Sequence, residues 1–363
     1  MIHGAVQGRG GGETFLKNVW QVAAFSADLK EGPLARTLLG EQVVLFRTET
    51  GAPAALLDEC PHRLAPLSFG KVVNGVLQCG YHGMRFDGAG ACVGAPGQDS
   101  VPSRAKAQSF PVVERHALIW IWMGDPATAD EARVPNIFWM TDPAWAISDG
   151  YHHIAANYQL LNDNLLDLSH ETFVHTHTIG NGAVADSPLS VSQDGENVIR
   201  AHRDMLNCEP PPFYVKAAGF SGRIDRWHTT FFTPPAFNII ENGSMPAGSD
   251  KEEARLRGLT RERRVINLIT PETESSSHYF WAIARCYALD DTELTEYVRV
   301  EVERTFDEDK TILEAQQRRL KSAHLDSFPV TLRADAGAVQ ARRIMARLLG
   351  EQERALASAS HTG

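Results

Sequence analysis

The sequence predicts an α+β protein with two domains, and three observations lead to this prediction. The chain has 363 residues, more than one hydrophobic core usually serves, so two domains are expected. Short apolar runs separated by turn residues fill the segment from Trp20 to about Met123, which is typical of a small all-β domain. Longer strands follow, and helical periodicity extends from about Thr292 to the C-terminus. We therefore expect an all-β domain first and a domain of sheet and helices second.

The all-β domain is predicted over residues 14–124. Its apolar runs are short and β-prone, and they cover residues 42–47, 54–58, 72–79, 85–86, 111–113 and 118–123. Residues 125–150 are rich in proline and are predicted to cross to the second domain, residues 151–350. Strands are expected there at residues 190–203, 223–233, 264–270 and 277–287. Residues 1–13 and 351–363 are expected to be flexible tails, the first resembling a leader or an expression remnant rather than a targeting peptide.

Composition excludes several classes of protein. The formal net charge is -10, which argues against nucleic acid as a partner because such proteins carry a basic patch. No apolar stretch is long enough to span a bilayer. Five cysteines in this length are sparse and odd in number, and no secretory segment precedes them, so a disulfide framework is not expected. We predict a soluble, cytoplasmic protein without a membrane partner.

Two matched Cys/His pairs are the strongest chemical signal in the chain. Cys60 and His62 form the first pair, and Cys79 and His82 form the second. In Rieske centres two histidines replace two cysteines on one iron of a 2Fe-2S cluster. Small or rigid residues crowd both pairs, so each is expected at a loop tip where backbone N–H groups approach the sulfurs. Structural zinc is the alternative, although zinc motifs usually keep like ligands together.

The segment of residues 164–175 carries a second constellation of polar residues in an apolar frame. Buried polar groups of this kind must be paired or bound to a metal. Asp167 and His170 are three residues apart and are expected on one helix face. His170 and His175 lie about 140° apart on an ideal helix, so a shared ion requires a distortion, which we predict near Glu171 to Val174. Two histidines and a carboxylate form the facial triad of mononuclear non-haem Fe(II) oxygenases.

Other histidines are weaker candidates for this site. His177 competes with His175 as the second ligand, but its neighbours suggest a segment leaving the site. A single histidine in a core is usually structural, and this is the interpretation of His152, His153, His202 and His228.

The predicted C-terminal helix offers the missing carboxylate. Phe306, Asp309, Leu313 and Leu320 recur with helical spacing, so Asp309 occupies a core-facing position. A buried carboxylate without a partner is costly, whereas one that binds iron is not. The alternative is that residues 307–309 form an acidic first turn that complements the helix dipole. Glu303 and Glu314 are the fallback ligands.

Together these motifs resemble one family, the terminal oxygenase components of the Rieske non-haem iron oxygenases. The resemblance covers nearly the whole chain from Trp20, through the motifs C-x-H-x16-C-x2-H and D-x2-H-x4-H. Within the family the chain resembles the vanillate and dicamba O-demethylases, through residues 164–175, 270–274, 278–281 and 308–316. The resemblance implies a Rieske domain and a catalytic domain whose antiparallel sheet is covered by helices, in a helix-grip, START-like fold.

The resemblance also implies the cofactors and partners. The 2Fe-2S cluster would be held by Cys60, His62, Cys79 and His82, and the mononuclear Fe(II) by His170, His175 and Asp309. Asp167 would bridge His170 and a Rieske histidine of a neighbouring chain in a head-to-tail homotrimer. O2 would be the co-substrate, and NAD(P)H would act indirectly through a flavin reductase, a ferredoxin or both.

The implied reaction is oxidative O-demethylation of a methoxylated aromatic acid. The alternatives are a methyl or ring hydroxylase, an N-demethylase and, without enzymatic activity, a Rieske electron carrier, which would need only the first 120 or so residues. The resemblance makes His278 the candidate for binding the substrate, with Asn238 and Asn242 as weaker candidates; Asn242 and Gly243 could also form only a turn. Asn164 is expected either to hydrogen-bond near the iron or to be a structural amide of the helix.

Overall fold

The computed structural model describes residues 15–30, 32–323, 328 and 330–360, so the expected leader, residues 1–13, lies outside the described residues. The chain divides into two compact units. One contains Phe15–Asn136 and Thr270–Glu274, and the other contains Ile137–Ile269 and the chain from Ser275 onwards. The predicted order, a β domain followed by a domain of sheet and helices, is confirmed.

Short antiparallel strands form the first unit. In its described residues they make three sheets, ordered β1-β11-β10, β2-β3-β4-β9 and β5-β6-β7-β8. The strands are β1 Trp20–Phe25, β2 Leu34–Leu38, β3 Glu41–Arg47, β4 Pro53–Leu57, β5 Lys71–Val73, β6 Val76–Gln78, β7 Arg85–Phe86, β8 Cys92–Gly94, β9 Ser109–Phe110, β10 Val112–Arg115 and β11 Leu118–Trp122. All five residues of β11 are buried, which fits its unbroken apolar sequence.

The single strand predicted at residues 72–79 is wrong. The structure divides this segment into the hairpin β5-β6. Asn74 and Gly75 both have positive φ, 50° and 71°, which is the conformation of a tight two-residue hairpin turn. A side chain at Gly75 would lie 1.8 Å from the Glu49 nitrogen, so the turn needs glycine for space as well as for conformation.

One large antiparallel sheet forms the centre of the second unit. The described chain contributes seven strands to it, in the order β12-β18-β17-β16-β15-β14-β13. The strands are β12 Ala146–Ile154, β13 Ser190–Asp194, β14 Val198–Cys208, β15 Ile224–Thr233, β16 Phe237–Pro246, β17 Arg261–Thr273 and β18 Ser276–Arg285. The suggestion that Asn242 and Gly243 form a turn is wrong, because both lie inside β16. Gly243 is required there since the Trp227 ring covers it, 1.8 Å from the position of a Cβ.

Helices pack on this sheet and on one another. They are α1 Tyr158–Leu166, α2 Glu171–Val174, α3 Gly182–Asp186, α4 Pro212–Ala218, α5 Lys251–Leu256, α6 Thr292–Ala323 and α7 Ala336–Ser360. The long α6 packs against β12, while α7 packs against α1 and β14. Within the described residues no helix combines the length and the apolar character needed to cross a membrane.

Two predicted boundaries need correction. Residues 351–360 were expected in a flexible tail, but they continue α7. Residues 146–150 were assigned to the crossover, but they open β12, which pairs with β18 along its whole length. In both places edge or end residues gain backbone hydrogen bonds that the local sequence pattern does not reveal.

Candidate active site

A break in the helical conformation after α1 positions His170. Asp167 leaves the helical conformation, with φ -121° and ψ 88°, and its carboxylate accepts hydrogen bonds from the Ser169 N–H at 3.0 Å and hydroxyl at 2.6 Å. This capping starts a short 3-10 turn, Leu168–His170, which leads into α2. A second departure follows where α2 ends at Val174, since His175 has φ -104° and ψ 34°, so the helix ends between the two histidines as expected, in addition to the break at Asp167. Asp167 is not on a helix face with His170, because its side chain caps instead.

Three side chains meet beside this break. The Asp309 Oδ1 atom lies 3.4 Å from the His170 Nε2 atom and 3.3 Å from the His175 Nε2 atom. One donor atom from each of these residues lies within 4.8 Å of the others. Asp309 is 5% exposed and His175 is 1% exposed. The structure thus brings together two imidazoles from one chain segment and a carboxylate from the middle of α6.

The pKa shifts of His170, His175 and Asp309 show how strongly these three groups interact. Burial opposes protonation of His170, but the hydrogen bond and charge of Asp309 outweigh it and raise the pKa of His170 to about 9. Burial likewise acts against His175, and Asp309 again raises its pKa. Burial favours the neutral acid of Asp309, yet the two histidines hold its pKa far below the usual range. A carboxylate that stays ionised in a buried site is suited to bind a cation.

Further hydrogen bonds fix the orientation of both imidazoles. His175 Nδ1 lies 2.7 Å from the Glu308 Oε2 atom, and His170 Nδ1 lies 2.6 Å from the Asp167 main-chain oxygen. Each ring therefore donates from Nδ1 and turns Nε2 towards Asp309. Such partners are typical of histidines that bind metals. The expectation that the Asp167 carboxylate accepts the His170 hydrogen bond is corrected, since the main-chain oxygen does so while the carboxylate binds Ser169 and lies 3.4 Å from Arg203 Nη2.

Asn164 also belongs to this group. Its Nδ2 atom donates to the Asp309 Oδ1 atom at 3.0 Å and lies 3.4 Å from the His170 Nε2 atom. Of the two roles considered from the sequence, the contact near the carboxylate is the one present. An amide donor at this place holds the Asp309 carboxylate in one orientation.

The competing ligands lie elsewhere. His177 is exposed, Glu303 binds Arg299 at 2.8 Å on the outer side of α6, and Glu314 accepts from the Ala155 N–H at 3.0 Å. The interpretation of residues 307–309 as an acidic first turn is wrong, because α6 begins at Thr292. Two histidines with one carboxylate is the ligand set of non-haem Fe(II) oxygenases, so the residues present fit a mononuclear iron.

The two Cys/His loops of the first unit have the same backbone structure. Cys60 donates its N–H to the Ala65 oxygen at 2.9 Å, and Cys79 donates to the Met84 oxygen at 2.8 Å, five residues on in each case. The residue four positions after each cysteine has a positive φ, 58° at Leu64 and 73° at Gly83. Two loops of the same backbone design therefore present the cysteines at equivalent positions, with His62 two residues and His82 three residues after the cysteine.

The side chains of these loops fit a 2Fe-2S cluster. Both thiols are free and buried, whereas His62 and His82 are exposed, with ring centroids 4.7 Å apart. Burial raises the pKa of the Cys60 thiol, while the backbone N–H groups of His62 and Arg63 act in the opposite direction. The Tyr81 N–H points at the Cys79 sulfur from 3.5 Å. N–H groups directed at sulfur are the surroundings that cluster thiolates require.

A cavity opens beside His170, His175 and Asp309. The empty space in it amounts to about 660 Å³, part of which is open to solvent. Its walls are largely apolar. Apart from the iron-site residues, Glu171 and Thr305, its polar residues lie on β15, β16, β17 and the start of α4: Tyr214, Arg226, His228, Asn242 and Arg263.

Of the three predicted substrate-binding residues, Asn242 lines this cavity, whereas His278 and Asn238 do not. His278 contacts the Tyr151 hydroxyl at 2.8 Å through Nδ1. Ile283 of β18 lines the cavity instead, and its side chain points to the opposite face of the strand. Asn238 is fully buried and donates to Asn162 at 2.8 Å. His278 misses the cavity because side chains alternate between the two faces of a strand, whereas Asn238 shares a face of β16 with Asn242 but lies four residues along the strand, where it contacts Asn162.

Several residues of the site were missed from the sequence. Glu308 was explained as a helix-dipole acid, and His228 was taken as structural; Arg226, Arg263 and Glu171 were not singled out. The spacing of Glu308 beside Asp309 carried no signal of its own. For Arg226 and Arg263, the placement of arginine at inward positions of β-strands was the available signal, since buried arginine is rare without a partner or ligand.

Comparisons with known proteins agree with both units. Residues 154–351 match the family described as vanillate O-demethylase oxygenase C-terminal domain, and residues 19–110 match the Rieske [2Fe-2S] domain. The toluene-4-sulfonate monooxygenase system iron-sulfur subunit of Comamonas testosteroni is 39% identical over 92% of this chain and 97% of its own. The vanillate O-demethylase oxygenase subunit of a Pseudomonas strain is 39% identical over 94% and 97%.

A solved structure gives the same result for the fold. Dicamba monooxygenase bound to 3,6-dichlorosalicylic acid superimposes with a TM-score of 0.87 at 37% identity, over 93% of this chain and 99% of that one. Because the similarity includes both units, an electron carrier with a Rieske domain alone is excluded. The chain therefore belongs to the Rieske non-haem iron oxygenases, as a monooxygenase-type oxygenase component of the group that contains the vanillate and dicamba O-demethylases.

Proposed function

We propose that this protein oxidises the O-methyl carbon of a small methoxylated aromatic acid. The observation that carries the proposal is the cavity, which joins the His170, His175 and Asp309 donor atoms to apolar walls and to a few polar groups. Apolar walls suit an aromatic ring, and the donor atoms at one end suit chemistry on a substituent of that ring. The names of the relatives that act on vanillate and dicamba support the same substrate class.

The proposed metal ligands are His170, His175 and Asp309 for iron, and Cys60, His62, Cys79 and His82 for the cluster. When bound, these groups supply activation of O2 and single-electron transfer, respectively. Glu308 and the Asp167 main chain hold the imidazoles, and Asn164 holds the Asp309 carboxylate. Leu165, Leu168 and the other apolar walls exclude water from the reacting carbon.

The overall reaction balances with two electrons from NAD(P)H. One oxygen atom of O2 enters the methyl C–H bond, and the other leaves as water after taking up two electrons and two protons. The resulting hemiacetal releases formaldehyde and the phenol. We assign the electron supply to a separate reductase with or without a ferredoxin, because several relatives are named as subunits or components of oxygenase systems.

We further propose that Asp167 connects this site to the cluster of a neighbouring chain in a head-to-tail homotrimer. The Asp167 side chain remains 22% exposed although it binds Ser169 and lies beside Arg203, so it retains capacity to accept a hydrogen bond from outside the chain. Asp167→Asn keeps the cap but removes the charge. We expect both metals to remain and turnover to fall at least tenfold; full turnover in a trimer would remove the assignment.

We assign the protein to the cytoplasm. None of the five cysteines forms a disulfide, and disulfides are rare in that compartment.

The decisive experiment is a screen of methoxylated aromatic acids with a generic reductase, NADH and O2, scored by formaldehyde release. The protein should contain about three irons per chain, two in the cluster and one alone. Turnover should require the added reductase. Absence of formaldehyde with every acid, in a protein that carries all three irons, would contradict O-demethylation.

A second candidate is hydroxylation of a ring methyl group on an aromatic sulfonate. It is favoured by the 39% identity to the toluene-4-sulfonate system subunit. The same screen separates the two reactions when methylated aromatic sulfonates are included, since a hydroxymethyl product would then form without formaldehyde.

A further inference from the structure

A row of polar side chains crosses the sheet at one end of the cavity. His228 on β15 pairs with Asn242 on β16, and Asn242 pairs with Arg263 on β17. Residues that are paired across antiparallel strands point to the same face, and all three line the cavity. The cavity-lining residues of the next row, Ile240 and Val265, are apolar. Strand register therefore gathers the polar groups at one end and leaves the adjacent wall apolar.

Arg263 is the unusual member of this row. It is only 6% exposed, and its guanidinium lies over the rings of Phe213 at 4.7 Å and Tyr214 at 4.6 Å. Within the described part of the chain, no carboxylate or hydrogen-bond acceptor pairs with this guanidinium. A buried cation without a partner is costly, so the arrangement indicates that a ligand completes it.

The charges of the residues around Arg263 indicate that this ligand carries a single negative charge. Arg226 lies 3.6 Å from the Glu171 carboxylate and so has a partner. Burial lowers the pKa of His228 well below its usual value, and Arg226 and Arg263 lower it further, so this imidazole is neutral. One positive charge, that of Arg263, is left over at this end of the cavity.

Unused hydrogen-bonding atoms lie around the same place. The Arg226 Nε and Nη1 atoms are buried and have no partner in the described structure, and the same is true of the Asn242 Oδ1 atom. Two buried N–H donors beside an unpaired guanidinium require acceptor oxygens. The amide of Asn242 can present its nitrogen instead of its oxygen by a flip about its last torsion.

We infer that Arg263, supported by Arg226 and Asn242, binds a singly charged oxyanion, a carboxylate or a sulfonate, on the aromatic ring of the substrate. This inference rests on the proposed function and deepens it, because fixing the anion at the sheet end directs the opposite side of the ring towards His170, His175 and Asp309. Arg263 is thus a specificity-determining residue that selects aromatic acids over neutral aromatics of the same shape.

The test is calorimetric binding to the full-length protein, without O2 or reductase. The probes are 3-methoxybenzoate, 3-methoxybenzenesulfonate and the neutral 3-methoxybenzamide. We expect the protein to bind at least one anion about ten- to hundredfold more tightly than the amide, as for hydrogen bonds to charged groups. The more tightly bound anion identifies the acid group. Equal affinity for all three probes would overturn the inference.

Substitutions locate the effect. Arg263→Met should abolish the preference for anions while the amide still binds within about twofold of its former affinity. The matched control is Arg264→Met, the next residue of β17, which points to the other face and pairs with Glu241 at 3.2 Å; its preference should be unchanged. Arg263→Lys keeps the positive charge, and lysine is easier to accommodate at this position. This variant should therefore still prefer anions over the amide, but less strongly. Loss of preference in the control, or its persistence in Arg263→Met, would contradict the role.

Binding and turnover report on different claims. If the preference for anions is absent but a neutral methoxyarene releases formaldehyde, O-demethylation stands and the anion site fails. If anions bind through Arg263 but neither formaldehyde nor a hydroxymethyl product forms, the anion site stands and the proposed reaction fails.

Discussion

Removal of the Glu308 carboxylate tests how the fold holds the second histidine of the candidate iron site. Glu308 accepts the His175 Nδ1 hydrogen bond at 2.7 Å, which leaves Nε2 facing Asp309. A hydrogen bond to a charged group contributes about 1.5–3 kcal/mol and one between neutral groups about 0.5–1.5 kcal/mol. Glu308→Gln keeps the hydrogen bond but loses the charge, so we expect a loss of about 1–1.5 kcal/mol.

This free energy converts directly into metal affinity. A loss of 1.4 kcal/mol corresponds to about tenfold, so Glu308→Gln should bind Fe(II) about tenfold more weakly. Glu308→Ala removes the whole interaction and should approach the hundredfold limit seen for partners of this kind. The Glu308 side chain is 25% exposed, and solvent screening keeps both values towards the lower end of these ranges.

The assay is anaerobic dialysis against chelator-buffered Fe(II), with total iron measured per chain. The visible spectrum of the Rieske cluster serves as an internal standard, because Glu308 is not part of the first unit. Glu303→Gln is the matched control, since Glu303 lies on the exposed side of the same helix and binds Arg299. Wild-type Fe(II) affinity in both Glu308 variants would refute the reasoning, as would an equal loss in the control.

Three further predictions concern the ligand set and the stability of each unit. Asp309→Ala should lose the mononuclear iron and keep the Rieske spectrum; retention of about three irons per chain would contradict the assignment. Leu64→Gly should raise stability by about 0.5–1 kcal/mol, because leucine at a φ of 58° is strained and the side chain is 65% exposed; a lower denaturation midpoint would argue against this. Arg342→Ala should cost about 3 kcal/mol, because it leaves the Asp163 carboxylate without its ion pair between α1 and α7. The exposed Arg343→Ala should change stability little, and equal midpoints for the two variants would refute the role of the pair.

Short-range patterns predicted the metal chemistry well. The Cys/His pairs fall inside single tight loops, where five residues fix the geometry around each cysteine, so spacing alone was informative. The position of Asp309 followed from the periodicity of α6, since Phe306 and Leu313 are buried on the same side of the helix. The approximate limits of most strands followed from apolar runs.

Local reasoning failed where the outcome depended on distant partners. The choice between the two faces of β18 decides whether His278 or Ile283 meets the cavity, and that choice depends on pairing with β12 and β17 rather than on the strand's own alternation. At Asp167 the chain can either continue the helix or let the Asp167 carboxylate cap the Ser169 N–H. These two alternatives differ little in free energy, and the break depends on the competition between them. Residues 351–360 are helical as a continuation of α7, which packs against α1 and β14.

The sequence by itself predicted two sets of candidate iron ligands, because each set uses residue types and spacings that few other structures require. Only the tertiary structure decided what surrounds them. Glu308 reaches His175 across more than a hundred residues, and Arg263, Asn242 and His228 become neighbours through the register of three strands. Hydrogen bonds between strands set that register, and no local pattern of side chains encodes which inward-facing polar residues will share one end of a cavity.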